Sequence, residues 1–270
     1  MRTIRKLTAL FIAVLILVSM FTVSAGAVKV VKGGEEYTLR SHTPTTGDVN
    51  VLMIRLGFAD YAADDEDYPA DSEDTLLSYF DGSENSVNGF YETSSYGKLH
   101  LHCDKVYNYN AVYDRGDYGG GFAQYSVDDL LVEALNALKG EIDYNDFDSD
   151  GDGHLDIVCF DFAGPMGEWG ETWWPHVANN SKVEIEGKKL SKYSILRGEV
   201  FTFKHEFGHI FGAADYYSHI NDHDNMIMTY DMMCTNIGDH NGFTKWSYGS
   251  AARIRSSGWT FSINTIVMIG

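Results

Sequence analysis

The chain is poor in proline, with 4 residues, and in cysteine, with 3, and it carries only 20 Lys and Arg against 39 Asp and Glu. Each shortage excludes something. Four prolines leave no room for a proline-rich stalk, and no low-complexity tract or repeat of roughly 20–50 residues is visible. Three cysteines, Cys103, Cys159 and Cys234, allow at most one internal disulfide, so this is no disulfide scaffold and buried free thiols are the expected state. A formal charge of −19 repels nucleic acid and anionic lipid and suits cation binding. After Leu7 to Val23 no second long apolar run appears, so no membrane span is expected beyond it. Glutamate is missing after Glu206, which excludes any metal site completed by a glutamate further along.

What is present begins with a leader. Met1 to Lys6 is basic, residues 7–23 are apolar, and Ala25-Gly26-Ala27 offers small residues for cleavage, the pattern of a secretory signal peptide over 1–27. Removal takes Arg2, Arg5 and Lys6 and no acid, leaving 17 basic residues against 39 acidic ones. A secreted, extracellular, monomeric product is expected. Residues 28–48 read as an extended lead-in and 49–270 as one domain, with an upper lobe of about 49–212 and a lower lobe of about 213–270.

Along that domain the apolar run 49–58 predicts a central strand, and helices fit Ser72 to Phe80 and Ser86 to Thr93. Lys98 to Cys103 alternates like a half-exposed strand, its two histidines on one solvated face. Val127 to Leu138 has helical periodicity with a stop at Gly140 and should back the sheet. A buried strand follows over 155–162, then a short hairpin over 183–195 around Glu186-Gly187. Trp173-Trp174-Pro175-His176 is an aromatic segment suited to a cleft wall, with Trp174 and His176 as candidates.

The richest stretch is His205-Glu206-Phe207-Gly208-His209-Ile210-Phe211-Gly212-Ala213-Ala214-Asp215. On a helix advancing about 100° per residue, His205 and His209 lie about 40° apart, one turn above the other, and can share one metal ion. Glu206 sits beside that face, while Phe203, Phe207 and Ile210 form an apolar back. Gly212 falls where a left-handed cap would turn the chain and bring a third ligand round. That ligand is Asp215, or else His219, Asp222 or His223. Three protein donors with one open position suit a catalytic zinc rather than a structural one, and Glu206 is placed to move the proton. His240 reads as a cleft-rim residue.

A second metal pattern lies upstream. Counting from Asp148, carboxylates fall at loop positions one, three, five and nine (Asp148, Asp150, Asp152, Asp156), with His154 at seven and glycine at six. These are oxygen-ligand positions of a calcium loop. Position twelve is Cys159 rather than glutamate, and the loop runs into a strand, so calcium here would stabilise rather than signal.

Taken in order, FADY at 58–61, NGFYETSSYGKLHL at 88–101, DSDGDGHLDIV at 148–158, WWPH at 173–176, HEFGHIFGAADYY at 205–217 and YDMMCTNIGDHNGFTKW at 230–246 resemble the immune inhibitor A family of secreted bacterial metalloproteases. The resemblance implies an α+β, metzincin-like catalytic domain: a twisted mixed sheet, a backing helix, an active-site helix and a small irregular C-terminal lobe. It implies zinc on His205, His209 and Asp215, Glu206 as the catalytic base, and a methionine turn at Asp231-Met232-Met233 with Met233 as its floor. The expected activity is zinc-dependent endopeptidase action on proteins or peptides. Two other functions compete. One is a catalytically inactive, calcium-stabilised binding module, which the intact Glu206 disfavours. The other is a zinc amidase acting on peptidoglycan.

Overall fold

The apolar run at 49–58 becomes β3, Gly47–Gly57, and the main sheet is built around it. The structure, a computed structural model, describes residues 28–32, 35–39, 42–121, 123–179, 182–217 and 230–248. The leader at 1–27 lies outside the described residues, as do His219, Asp222 and His223. Two compact units divide the chain, residues 1–40 and 41–270. The described part of the first is an antiparallel hairpin, β1 (Val28–Lys32) with β2 (Glu35–Leu39), where the sequence suggested only an extended lead-in.

In the second unit β3 is long enough to serve several partners. Its first half pairs in parallel with β4 (Leu99–His102) and its second half with β5 (Val106–Asn110). Residues 51–56 also pair in parallel with β6 (Ile157–Phe162), which leads to β10 (Lys192–Leu196), and β7 (His176–Asn179) closes the order antiparallel to β10. The result is a mixed sheet, β4-β3-β6-β10-β7, with helices on both faces, a mixed α and β architecture.

Alternation along β3 explains why both faces are covered. Leu52, Ile54 and Leu56 enter one core with Phe160 and Phe162 of β6 and with Leu130, Leu131, Ala134 and Leu135 of α3 (Val127–Ala137). Val49, Val51 and Met53 enter the other, with Ile157, Cys159 and the helices α1 (Glu73–Ser78), α2 (Val87–Ser94) and α4 (Val200–Ile210). Each buried leucine contributes about 1.5–3 kcal/mol. The helices begin where local chemistry dictates: Ser72, Ser86 and Ser126 accept from the amides of Thr75, Gly89 and Asp129, and Asp129 completes a capping box. Two short helices, α5 (Met232–Thr235) and α6 (Gly242–Ser247), follow α4.

One expected element divides. Of the hairpin read over 183–195, only β8 (Glu184–Ile185) and β9 (Lys188–Lys189) form it, about Glu186 and Gly187 with φ of 49° and 80°. Residues 192–196 leave to join the main sheet, because Tyr193, Ile195 and Leu196 bury side chains on its two faces. Cys103, Cys159 and Cys234 are free and buried. Among the described residues no helix is long and apolar enough to cross a membrane.

Candidate metal centre

Helix α4 is held from its back. Phe203, Phe207 and Ile210 are buried against the sheet, while Glu199 starts the helix without a side-chain cap. Its C-terminus is closed twice. Gly212, at φ 106°, reverses the chain so that the Ala213 amide donates to the Gly208 carbonyl at 2.9 Å. From β10 the Lys192 ammonium donates to the carbonyls of His209 and Ile210, both at 3.0 Å, on the negative end of the helix dipole. Lys192 had no signal in the sequence.

The turn brings Asp215 back onto the histidines. Its Oδ1 stands 3.0 Å from His205 Nε2 and 3.3 Å from His209 Nε2. Ligand atoms at zinc distances on a tetrahedral ion lie about 3.3 Å apart. Hydrogen-bond direction points the same way. His209 Nδ1 lies 2.9 Å from the Ala213 carbonyl, which can only accept, so Nδ1 carries the proton. In neutral His209 the Nε2 lone pair then faces the Asp215 oxygen, an arrangement that needs a cation or proton between them. His205 Nδ1 is buried without a hydrogen-bond partner. Burial opposes ionisation of Asp215, yet the two imidazoles hold its carboxyl well below the usual range. Burial likewise works against charge on His209, but Asp215 and the Ala213 carbonyl raise its pKa. These donors fit a divalent cation.

Glu206 is 6% exposed, and its Oε2 has no hydrogen-bond partner. Burial raises its pKa, against the pull of His209 and His205 and a hydrogen bond from the Val177 amide. That amide belongs to β7, so the edge strand runs directly past the candidate base. Glu206, His205, His209 and Asp215 open onto a cleft of about 570 Å³, also lined by Trp174, His176, Val177 and Tyr217. Tyr217 is hydrogen-bonded to both Asp215 and Trp169. Its only sequence signal was its place two residues after Asp215. The tryptophan pair divides: Trp174 reaches the cleft, and Trp173 packs edge-on to Phe58 at 4.9 Å in the core.

His240 is not at the cleft rim. Its ring is buried between Phe90, Tyr91 and Tyr248, with Nδ1 3.4 Å from Asp231 Oδ1. Three aromatic neighbours and one carboxylate surround this imidazole, whose Nε2 is buried without a hydrogen-bond partner, a setting that sequence spacing could not reveal. Met233 is fully buried, and its sulfur occupies the space where a Cβ on Gly208 would stand, between the two metal-face histidines in sequence.

At the second site Asp148, Asp150 and Asp152 offer oxygens within 4.8 Å of one another. Asp148 Oδ1 and Asp156 Oδ1 are buried without partners. Burial, with Asp150 and Asp148 nearby, pushes the Asp156 carboxyl up to about 6. Orphaned oxygens in a carboxylate cluster suit a cation, with Lys188 already pairing Asp148 Oδ2 at 2.6 Å. The His154 ring is not among these donors. It stacks on His42 at 3.5 Å and 8°, with Nδ1 2.6 Å from Ser191 Oγ. Position seven of such a loop ligates through its backbone carbonyl, so the ring is free to turn away. His42, Asp152 and His154 also lie close together, but lone pairs in two nearly parallel ring planes cannot converge on one ion.

A scan against protein-family models finds no match, and no curated protein matches the chain.

Proposed function

We propose that the chain is a secreted zinc-dependent endopeptidase of the metzincin-like, immune inhibitor A kind. The observation that carries this is the meeting of His205 Nε2 and His209 Nε2 on Asp215 Oδ1, 3.0 and 3.3 Å away, beside a buried Glu206 in an open cleft. Supporting it are the turn at Gly212, Met233 beneath Gly208 and an antiparallel edge strand along the cleft.

His205, His209 and Asp215 would hold the zinc, which when bound supplies Lewis acidity and an acidified water. The chain's own groups do the rest. Among the described residues β7 pairs with β10 on one side only, so a substrate in extended form can add along its other edge by backbone hydrogen bonds. Glu206, desolvated and with one free oxygen, takes a proton from the attacking water and delivers it to the leaving amine. Trp174 and Tyr217 line the cleft beside these groups. Calcium in the Asp148 to Asp156 loop would fasten the start of β6, which adjoins both β3 and β10. The acidic surface and leader-like N-terminus support action outside the cell, as a monomer on protein or peptide substrates.

The test compares wild type with Glu206→Ala for bound zinc, casein cleavage and cell-wall digestion. Equal zinc and cleavage lowered by about 10²–10⁴-fold is expected. Casein left intact by zinc-loaded wild type, with peptidoglycan digested, would replace the peptidase reading with the amidase one.

A further inference from the structure

Asp231 is fully buried, and no role in the proposed chemistry has used it. Its carboxylate is ringed by donors. Oδ1 accepts from the Met233 amide at 2.9 Å, and Oδ2 accepts from the Asn241 amide and the Thr244 hydroxyl, both at 2.7 Å. His240 Nδ1 stands 3.4 Å from Oδ1. A hydroxyl has one proton. Since Thr244 gives its own to Asp231, Thr244 Oγ1 must accept from the Tyr216 hydroxyl, 2.9 Å away. The circuit closes through the backbone, where the Tyr216 amide donates to the Met233 carbonyl at 3.0 Å.

Asp231, Thr244, Tyr216 and Met233 thus form one hydrogen-bonded ring with an ionised, buried acceptor at its head. Two of its members adjoin the candidate metal centre. Met233 puts its sulfur against Gly208, in the turn of helix between His205 and His209. Tyr216 is the residue after Asp215. Beyond Ala213 the segment to Tyr217 has no helical or sheet hydrogen bonding of its own, so this ring helps to pin its far end, together with the Cys234 thiol on the Tyr216 carbonyl at 3.5 Å and the bond of Tyr217 to Trp169. The carboxylate acceptor makes the bonds from the Met233 amide and the Thr244 hydroxyl stronger than neutral pairs would be.

We propose that Asp231 is a positioning residue for the metal centre: through Thr244 and Tyr216 it sets where Asp215 stands, and through Met233 it sets the level of the histidine helix. The inference rests on the proposed zinc site. It goes further by assigning the geometry of the third ligand to a buried carboxylate 16 positions downstream rather than to the helix that carries the histidines.

The experiment uses the full chain, with zinc alone and cobalt alone as probes. Tyr216→Phe removes the hydroxyl on Thr244 and leaves Asp231 all of its own donors. Thr244→Val cuts the ring at a second point, and Thr244→Ser restores the hydroxyl. Asp231→Asn keeps the shape and loses the charge. Zinc affinity is expected to fall about 10–100-fold in Tyr216→Phe and Thr244→Val, the range for groups that orient ligands, and most in Asp231→Asn. Thr244→Ser should recover most of it. The cobalt visible spectrum should change in the first two variants by more than any fall in metal-free melting explains, and Tyr216→Phe, which leaves every bond to Asp231 in place, should melt close to wild type without metal. Wild-type affinity and spectrum in both Tyr216→Phe and Thr244→Val would overturn the assignment, as would affinity losses that simply track lower metal-free melting. Failure of wild type itself to take up zinc would remove the proposed function as well, so the two failures are distinct.

Discussion

The sulfur of Met233 fills the space that a side chain on Gly208 would need, so the methionine and the glycine fit as a pair. Gly208→Ala should therefore destabilise the protein by about 1–3 kcal/mol through overpacking, despite alanine's better helix propensity. Met233→Leu, which keeps the volume, should cost less than about 1.5 kcal/mol. Urea unfolding midpoints check both, and a stabilised Gly208→Ala would show that the helix moves away freely.

Asp215→Ala should weaken zinc retention by more than about 100-fold, beyond the loss expected of a merely orienting group. Glu206→Ala should leave it unchanged. Equilibrium dialysis against a chelator, followed by metal analysis, separates the two. Full retention by Asp215→Ala would move the third ligand to another residue.

Removing calcium should lower the melting temperature. A site filled at a hundred times its dissociation constant adds about 2.7 kcal/mol, or about 5–10 °C for a chain of this size. Calcium, but neither zinc nor magnesium, should restore the melting point after chelation. In Asp156→Asn, which alters one of the two orphaned carboxylates, the calcium response should vanish while zinc uptake persists.

Asp161 is completely buried on β6 beside Asp71, and burial pushes its pKa up to about 8, with Arg197 and Arg55 opposing. The unfolded value is about 3.9. A folded pKa above the unfolded one means that the native state binds the extra proton. Stability from this group is full below about pH 4 and declines as pH rises towards 8. The decline is on the order of a few kcal/mol. Asp161→Asn retains an oxygen for the Asp71 amide at 2.6 Å and should flatten the fall, so that the variant melts higher than wild type at pH 8. Parallel curves for the two proteins between pH 5 and 8 would contradict this.

How much of this was legible beforehand depended on reach along the chain. The pairing of His205 with His209, the helix starts near Ser72 and Ser86, the turn at Gly212 and the burial of Phe203 and Phe207 all follow from periodicity or from contacts within a few residues, and they appear where expected. The 192–196 strand was misread as half of a hairpin because its true partners, β6 and β7, lie outside any local window. His240 was misplaced for the same reason: its aromatic cage comes from α2 and Tyr248.

The sequence by itself determined the donor types, because the helical repeat alone puts two imidazoles on one face and a glycine lets the chain turn after them. Tertiary structure alone decided that Asp215 meets both imidazoles, that Lys192 closes the helix, that the Val177 amide reaches Glu206, and that Asp231 gathers Met233, Thr244 and, through it, Tyr216. The contacts of Lys192 with His209 and of Val177 with Glu206 join residues 17 and 29 apart in the chain, and only the packing of two cores about one sheet brings such groups within hydrogen-bond distance.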